Sequence, residues 1–401
     1  MKKPKTWASG TLGDVIASVR GGFSVQCEDR IAEDTEIGVL KTGAVLTGTF
    51  DPTQNKFVPP EEHNRARTPV SANTIIICRK NSEETIGANA LVSEDYSNLF
   101  LSDLLWELRA AKETDIHWLS HVLQSGYVRS MIRLWSTGTQ STMKNISQDR
   151  LLAIPVSIPR KDEQKEIAAI LRTWAEAIEK LNSLIATRDA EYAYHSRQFF
   201  YPCHPSFQGR DKGWRPFTLS QLFTERTESG LDSDALLSIT MADGVISQEN
   251  VGRRDSSTED KSKYKLILPG DIGYNTMRMW QGVCGLSTLR GIVSPAYTVV
   301  TPIENRIHAR YAFHLFKSKR MIHDFERYSQ GLTSDTWNLK FPAFSEIKVF
   351  IPDPKIQIAQ ANYLDALKDE TEIFKRKAEA LSRQKRGLMQ KLLTGEWRVK
   401  L

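Results

Sequence analysis

The sequence predicts an α+β protein built twice: two similar globular α/β domains separated by two long antiparallel coiled-coil helices, with pseudo-twofold symmetry. Three observations predict this. Residues 161–197 contain neither Pro nor Gly, and Ile167, Leu171, Trp174, Ile178, Leu181 and Ile185 alternate spacings of four and three. That is a heptad seam, which seeks a partner helix. Residues 355–393 repeat it through Leu364, Leu367, Thr371, Phe374, Ala378, Leu381, Lys385, Leu388 and Leu392, with Thr371 and Lys385 as polar intrusions that fix register. The third observation is a duplication. Gly138, Asn145, Ile154, Pro159 and Gln164 each lie 193 residues before Gly331, Asn338, Ile347, Pro352 and Gln357. His121 and Ser125 precede His314 and Ser318 by the same interval. Near the start of each half the interval becomes 207, pairing Trp7 with Trp214 and Leu12 with Leu219. A period of this size sets architecture before any motif does.

The expected division is residues 1–160 as a first globular domain and 161–200 as a central spacer helix. Residues 201–353 follow as a linker with the second globular domain, and 354–401 as a distal spacer helix with its tail. In the first domain, residues 11–19 read as an entry strand or short helix, and 37–43 and 73–78 as strands, the latter buried by its continuous β-branched run. Residues 51–69, rich in Pro and polar residues, read as a loop. Residues 115–134 have the spacing of one helix, 136–142 form a polar loop, and 153–158 a closing strand. The second domain repeats the plan, with a helix over 309–328, a polar loop over 329–335, and an Arg, Trp and Gln cluster on a turn at 277–282.

Net charge is +6 and the isoelectric point about 9.0, which permits an acidic partner such as nucleic acid. Residues 375–400 hold nine Lys or Arg against two Glu, a stretch suited to phosphate contact or to a solvated helix face. The four cysteines form no CxxC and read as reduced residues of a cytoplasmic protein, with no membrane span expected. Catalytic and cofactor chemistry is not expected. His117 and His121 have the spacing of a zinc pair but lack a glutamate and a third ligand, and read as partly buried helix histidines. Asp335 with Glu346 and Lys348 imitates a nuclease pattern, but the latter two align with Ala153 and Pro155 in a structural strand. There is no phosphate-binding glycine loop, no dinucleotide turn and no base-methylation signature.

Each half ends in Ile-Pro, then a Gln-containing helix start, then a long helix: Ile158-Pro159 with Glu163-Gln164 and residues 167–171, and Ile351-Pro352 with Gln357-Ile358-Ala359. Together with the ending at Gly387 to Val399, this layout resembles the specificity subunit of type I restriction-modification systems. The run 196–201 departs from the family's usual ending after the first helix and leaves that helix's end open. The resemblance implies that the globular regions are target recognition domains. It implies a non-catalytic subunit that binds an asymmetric bipartite target on double-stranded DNA, one half-site per domain with a fixed spacer. Its implied partners are two modification (methyltransferase) subunits and restriction (motor-nuclease) subunits. The alternatives are a coiled-coil scaffold that does not bind DNA, and a related DNA-binding defence module without methylation. Direct readout needs bidentate donors on base edges. The candidates are Arg65, Arg67, Gln140, Lys144 and Asn145 in the first domain, and Arg253, Arg254, Arg278, Gln281, Ser334 and Asn338 in the second. Asn145 and Asn338 recur in both halves, which suits loop shaping or phosphate contact, whereas Arg278 and Gln281 align with nothing, which suits specificity. Helix pairing is assigned to Leu171, Trp174, Ile178, Leu181, Ile185, Leu364, Leu367, Phe374, Ala378 and Leu381.

Overall fold

The structure is a computed structural model that describes residues 7–138, 143–210, 213–231, 233–251, 261–333 and 336–400. The chain forms two compact units. Unit 1 comprises residues 1–180 and 377–401, and unit 2 residues 181–376.

Both units are built on one frame. In unit 1 a four-stranded antiparallel sheet runs in the order Ile16–Gly21, Leu105–Ala110, Thr74–Cys78, Asn89–Val92. In unit 2 the corresponding order is Phe223–Glu225, Tyr297–Pro302, Ile272–Asn275, Cys284–Leu286. Each unit is closed by a two-stranded ribbon, Ala8–Thr11 against Pro155–Ile158 and Arg215–Thr218 against Lys348–Ile351. The frames part company beyond these elements. Unit 1 adds a second four-stranded sheet, and unit 2 adds two separate two-stranded pairs, the hairpin Leu237–Thr240 with Gly244–Ser247 and the pair Lys265–Ile267 with Gly291–Val293.

The residues that recur at the 193-residue interval are those that hold the backbone. Gln164 is buried, donates to the Pro159 carbonyl at 2.9 Å and accepts from the Asp115 N–H at 2.8 Å. Gln357 does the same with Pro352 and His308, at 2.9 and 2.8 Å. Each glutamine thus satisfies groups a helix start would otherwise leave orphaned. Ser125 and Ser318 correct the expectation of one helix over 115–134 and one over 309–328. Each region is two helices, Ile116–Gln124 with Gly126–Trp135 and Ala309–Lys317 with Lys319–Tyr328. At both junctions the serine is extended, and its hydroxyl accepts from the N–H three residues on, Val128 and Met321, at 3.3 Å. Hydrophobic spacing continues through a break whose shared mark in the two units is one capping serine.

Two forty-residue helices, Lys161–Phe200 and Pro354–Leu393, each about 60 Å long, carry the seams. The first ends at Phe200, three residues past the run 161–197 in which the seam is read. In unit 1, Ile167 and Leu171 of the first helix share a core with Leu388 and Leu392 of the second. In unit 2, Tyr192 and Phe199 share a core with Ala361 and Leu364, and Arg188 pairs with Glu370 at 2.8 Å. Start meets end in both units, so the helices run antiparallel. Thr371 is buried with its hydroxyl donating to the Leu367 carbonyl of its own helix at 2.9 Å, which removes the cost of a polar atom in the seam. The segment expected as a loop over 51–69 contains a short strand, Asn55–Phe57, and a 3-10 turn, Pro60–Arg65.

Candidate nucleic-acid interface

In unit 1 the loop after the helix pair is closed by reciprocal backbone bonds between Thr137 and Asn145, at 2.8 and 2.9 Å. Gly138 stands at φ +136° beneath the Met143 carbonyl, where a Cβ has no room. Lys144 donates to the Gly138 carbonyl at 3.1 Å, and Lys144–Asn145 pairs antiparallel with Lys80–Asn81. The Ile146 N–H then bonds the Arg79 carbonyl at 3.1 Å. Lys144 and Asn145 are thereby brought beside Arg79, Lys80 and Asn81, which sequence reasoning missed. Arg79 lies over the Trp106 ring at 5.5 Å.

Unit 2 uses the same closure with different side chains. Gln330 and Asn338 exchange backbone bonds at 3.0 and 2.9 Å, Gly331 stands at φ +149°, and the Leu339 N–H bonds the Thr276 carbonyl at 2.8 Å. Thr276 therefore occupies the place of Arg79, and Arg278 that of Asn81, so Arg278 has a counterpart after all. It escaped alignment because the interval here is 197 residues rather than 193. The turn Met279–Gln281 ends on Gly282 at φ +79°. Trp280 packs edge-on against Trp337, ring centres 5.2 Å apart, which fastens the Arg278–Gln281 turn to the Asn338 loop. Arg278 and Gln281 are exposed, and neither side chain makes a hydrogen bond or ion pair among the described residues. The Oδ1 atoms of Asn145 and Asn338 are both buried without a partner, at the same position of the repeat.

Arg65 and Arg67 are exposed but locally engaged. Arg65 pairs with Glu62 at 3.3 Å, and Arg67 donates to the Asn64 carbonyl at 3.0 Å while lying 5.6 Å from the Phe23 ring centre. Thr68, next to Arg67, bonds the Gly21 carbonyl, and Gly21 is paired with Trp106, the ring that Arg79 covers. Gln140, Arg253, Arg254 and Ser334 lie outside the described residues, as does Asp335.

With this geometry in place, similarity to known proteins bears on the family. Residues 4–186 match the family described as type I restriction modification DNA specificity domain. The chain carries a type I restriction-modification DNA specificity domain. The resemblance to type I specificity subunits read from the sequence is borne out. The chain is 24% identical over 182 residues to the type I restriction enzyme EcoEI specificity subunit of Escherichia coli, covering 45% of this chain and 31% of that relative. It thus spans about a third of that relative's length. It is 22% identical to the putative type I restriction enzyme MjaX specificity subunit of Methanocaldococcus jannaschii, over 99% of this chain and 95% of that one. The solved structure of the S subunit of a type I restriction-modification system from M. genitalium superposes with a TM-score of 0.62 over 98% of both chains at 17% identity, which bears on the fold.

The unit that contains the specificity domain holds His117 and His121 on one helix, both half-buried. Burial, with Lys385 and His117 nearby, pushes His121 down to about 4, and its Nδ1 has no hydrogen-bond partner. Among the described residues no group of three or more His, Cys, Asp or Glu could hold a metal ion, and no helix is long and apolar enough to cross a membrane. The assigned seam residues differ in burial. Leu171 and Ala378 in unit 1, and Leu364 and Leu367 in unit 2, are buried. Trp174, Ile178 and Leu381 in unit 1, and Leu181, Ile185 and Phe374 in unit 2, are half-buried.

Proposed function

We propose that this chain is the non-catalytic DNA-recognition subunit of a type I restriction-modification complex in the cytoplasm. On this reading each unit reads one half of an asymmetric bipartite duplex target, and a fixed spacer separates the halves. The long helices dock two methyltransferase subunits, which restriction subunits join. The observation that carries the reading is the pair of equivalent loop closures dressed with different side chains. Unit 1 presents Lys80, Asn81, Lys144 and Asn145 where unit 2 presents Arg278, Gln281, Trp280 and Trp337. One frame with two sets of donors is what two different half-sites require.

The reading is tested by binding the purified chain to random and target duplexes across salt concentrations. Phosphate contacts give a steep fall of affinity with salt. Addition of the modification subunit is expected to yield sequence-specific adenine methylation that the chain alone does not perform. Salt-independent or absent duplex binding, by the chain and by the assembled complex, would leave the scaffold alternative standing.

A further inference from the structure

Unit 2 contains a cavity of about 490 Å³ among Tyr192, Met241, Arg310, Phe313, Lys317 and Lys368. Its cations outnumber the acids free to meet them. Asp365 on its wall is already committed, 2.7 Å from His314 Nε2 and 2.8 Å from the Arg310 guanidinium, while His314 Nδ1 meets the Tyr192 hydroxyl at 3.0 Å. The other acid, Asp243, is exposed at the rim. Lys317 donates to the Gly282 and Met241 carbonyls at 2.9 and 3.2 Å, which leaves one N–H. Lys368 lies 5.2 and 5.0 Å from the ring centres of Tyr192 and Phe313 and makes no hydrogen bond or ion pair among the described residues. Burial, and then the Lys317 charge, hold its ammonium below the usual lysine range.

Unit 1 shows that the fold does not need these charges. The residues 193 positions earlier than Lys317 and Lys368 are Gln124 and Ala175. The Gln124 amide performs the tying role of Lys317, donating to the Gly48 and Asn89 carbonyls at 3.0 and 3.4 Å. A neutral amide suffices there, so the paired ammonium groups of unit 2 are an addition. Removing an ammonium from water is costly; the Asp365 and Glu372 carboxylates offset only part of that cost at Lys368, and an anion bridging two ammonium groups offsets more.

We propose that this cavity binds a phosphate group, held by Lys368 and Lys317 with Arg310 at its edge. The phosphate belongs either to a free phosphate species or to the backbone of bound DNA. The second source rests on the function proposed above; the first stands without it.

The test compares the full chain with Lys368→Met, which keeps the side chain's length and removes its charge, and with Lys368→Arg, which restores charge. Inorganic phosphate is titrated by calorimetry at ionic strength matched with chloride, and the salt slope of duplex binding is measured alongside. For a free source, saturable phosphate binding should weaken roughly 10- to 100-fold in Lys368→Met and return in Lys368→Arg, with the duplex slope unchanged. For a backbone source, the slope should fall by about one in Lys368→Met. Absence of saturable phosphate binding together with an unchanged slope overturns the proposal. So does phosphate binding that Lys368→Met leaves intact.

Discussion

Glu163 and Arg398, 235 residues apart, meet in a two-point ion pair: Arg398 Nε donates to one carboxylate oxygen at 2.5 Å and Nη2 to the other at 2.9 Å. The Trp7 indole donates to the same carboxylate at 2.9 Å, and Glu163 is almost fully buried. One side chain at the start of the first long helix therefore gathers both ends of the chain into unit 1. Arg398→Ala leaves the buried carboxylate with the indole alone. It is expected to cost about 2 kcal/mol, read as a lower urea midpoint of unit 1. An unchanged midpoint would show that the pair contributes nothing.

The seam makes a graded prediction. Leu171 and Leu364 are fully buried in the cores of their units, while Leu184 on the first helix is 43% exposed. Leu171→Ala and Leu364→Ala should each cost roughly 2–5 kcal/mol, and Leu184→Ala well under 1 kcal/mol. Equal losses at all three positions, measured by denaturant unfolding, would contradict the burial pattern.

His121 gives unit 1 a pH dependence. Lys385 on the second long helix and His117 on its own helix disfavour its charged form, Asp115 favours it, and burial dominates. With the folded value near 4 against an ordinary 6.5, protons bind the unfolded chain first. The stability from keeping His121 neutral is present above about pH 6.5 and drains away as pH falls toward 4, by roughly 3 kcal/mol at most. His121→Gln should flatten the unfolding free energy between pH 7 and 5. A variant as acid-sensitive as the wild type would place the titration elsewhere.

The duplication was legible because Pro159, Gln164, Ser125 and their partners carry backbone hydrogen bonds that both units need, and so keep a constant interval. The helix seams were legible from spacing alone. The capping role of Ser125 is hidden in the sequence, since apolar residues keep a helical spacing on both sides of the break. Arg79 to Asn81 stayed hidden because the interval shifts where the sheets diverge, and the pairing that places them beside Lys144 joins residues more than sixty positions apart. The Trp280–Trp337 contact and the Tyr192–His314–Asp365 chain are likewise tertiary, and nothing in local pattern announces them.

The proposed fixed gap between half-sites has a mechanical test. Four residues inserted after Leu181 and four after Phe374 lengthen each helix by about 6 Å and nearly keep the heptad phase. At about 3.4 Å per base pair, the preferred spacer should grow by one or two base pairs, blurred by a rotation of a few tens of degrees. A binding screen over spacer lengths reads the result. An unchanged spacer preference in a folded, active protein would mean that helix length does not set the gap.

The central claim is that each unit reads its own half-site, and the methylation pattern of the assembled complex tests it most directly. Arg278 and Gln281 belong to unit 2 alone, and Lys144 and Lys80 to unit 1. The modification subunit is expressed with the wild type, with Arg278→Ala/Gln281→Ala, or with Lys80→Ala/Lys144→Ala, and methylated adenines are mapped across a genome. The account predicts that the unit 2 variant relaxes or changes bases in one half of the motif only. The unit 1 variant alters or weakens recognition at the other half. Both halves changing together under the unit 2 variant, or an intact motif at full methylation under both variants, would contradict it.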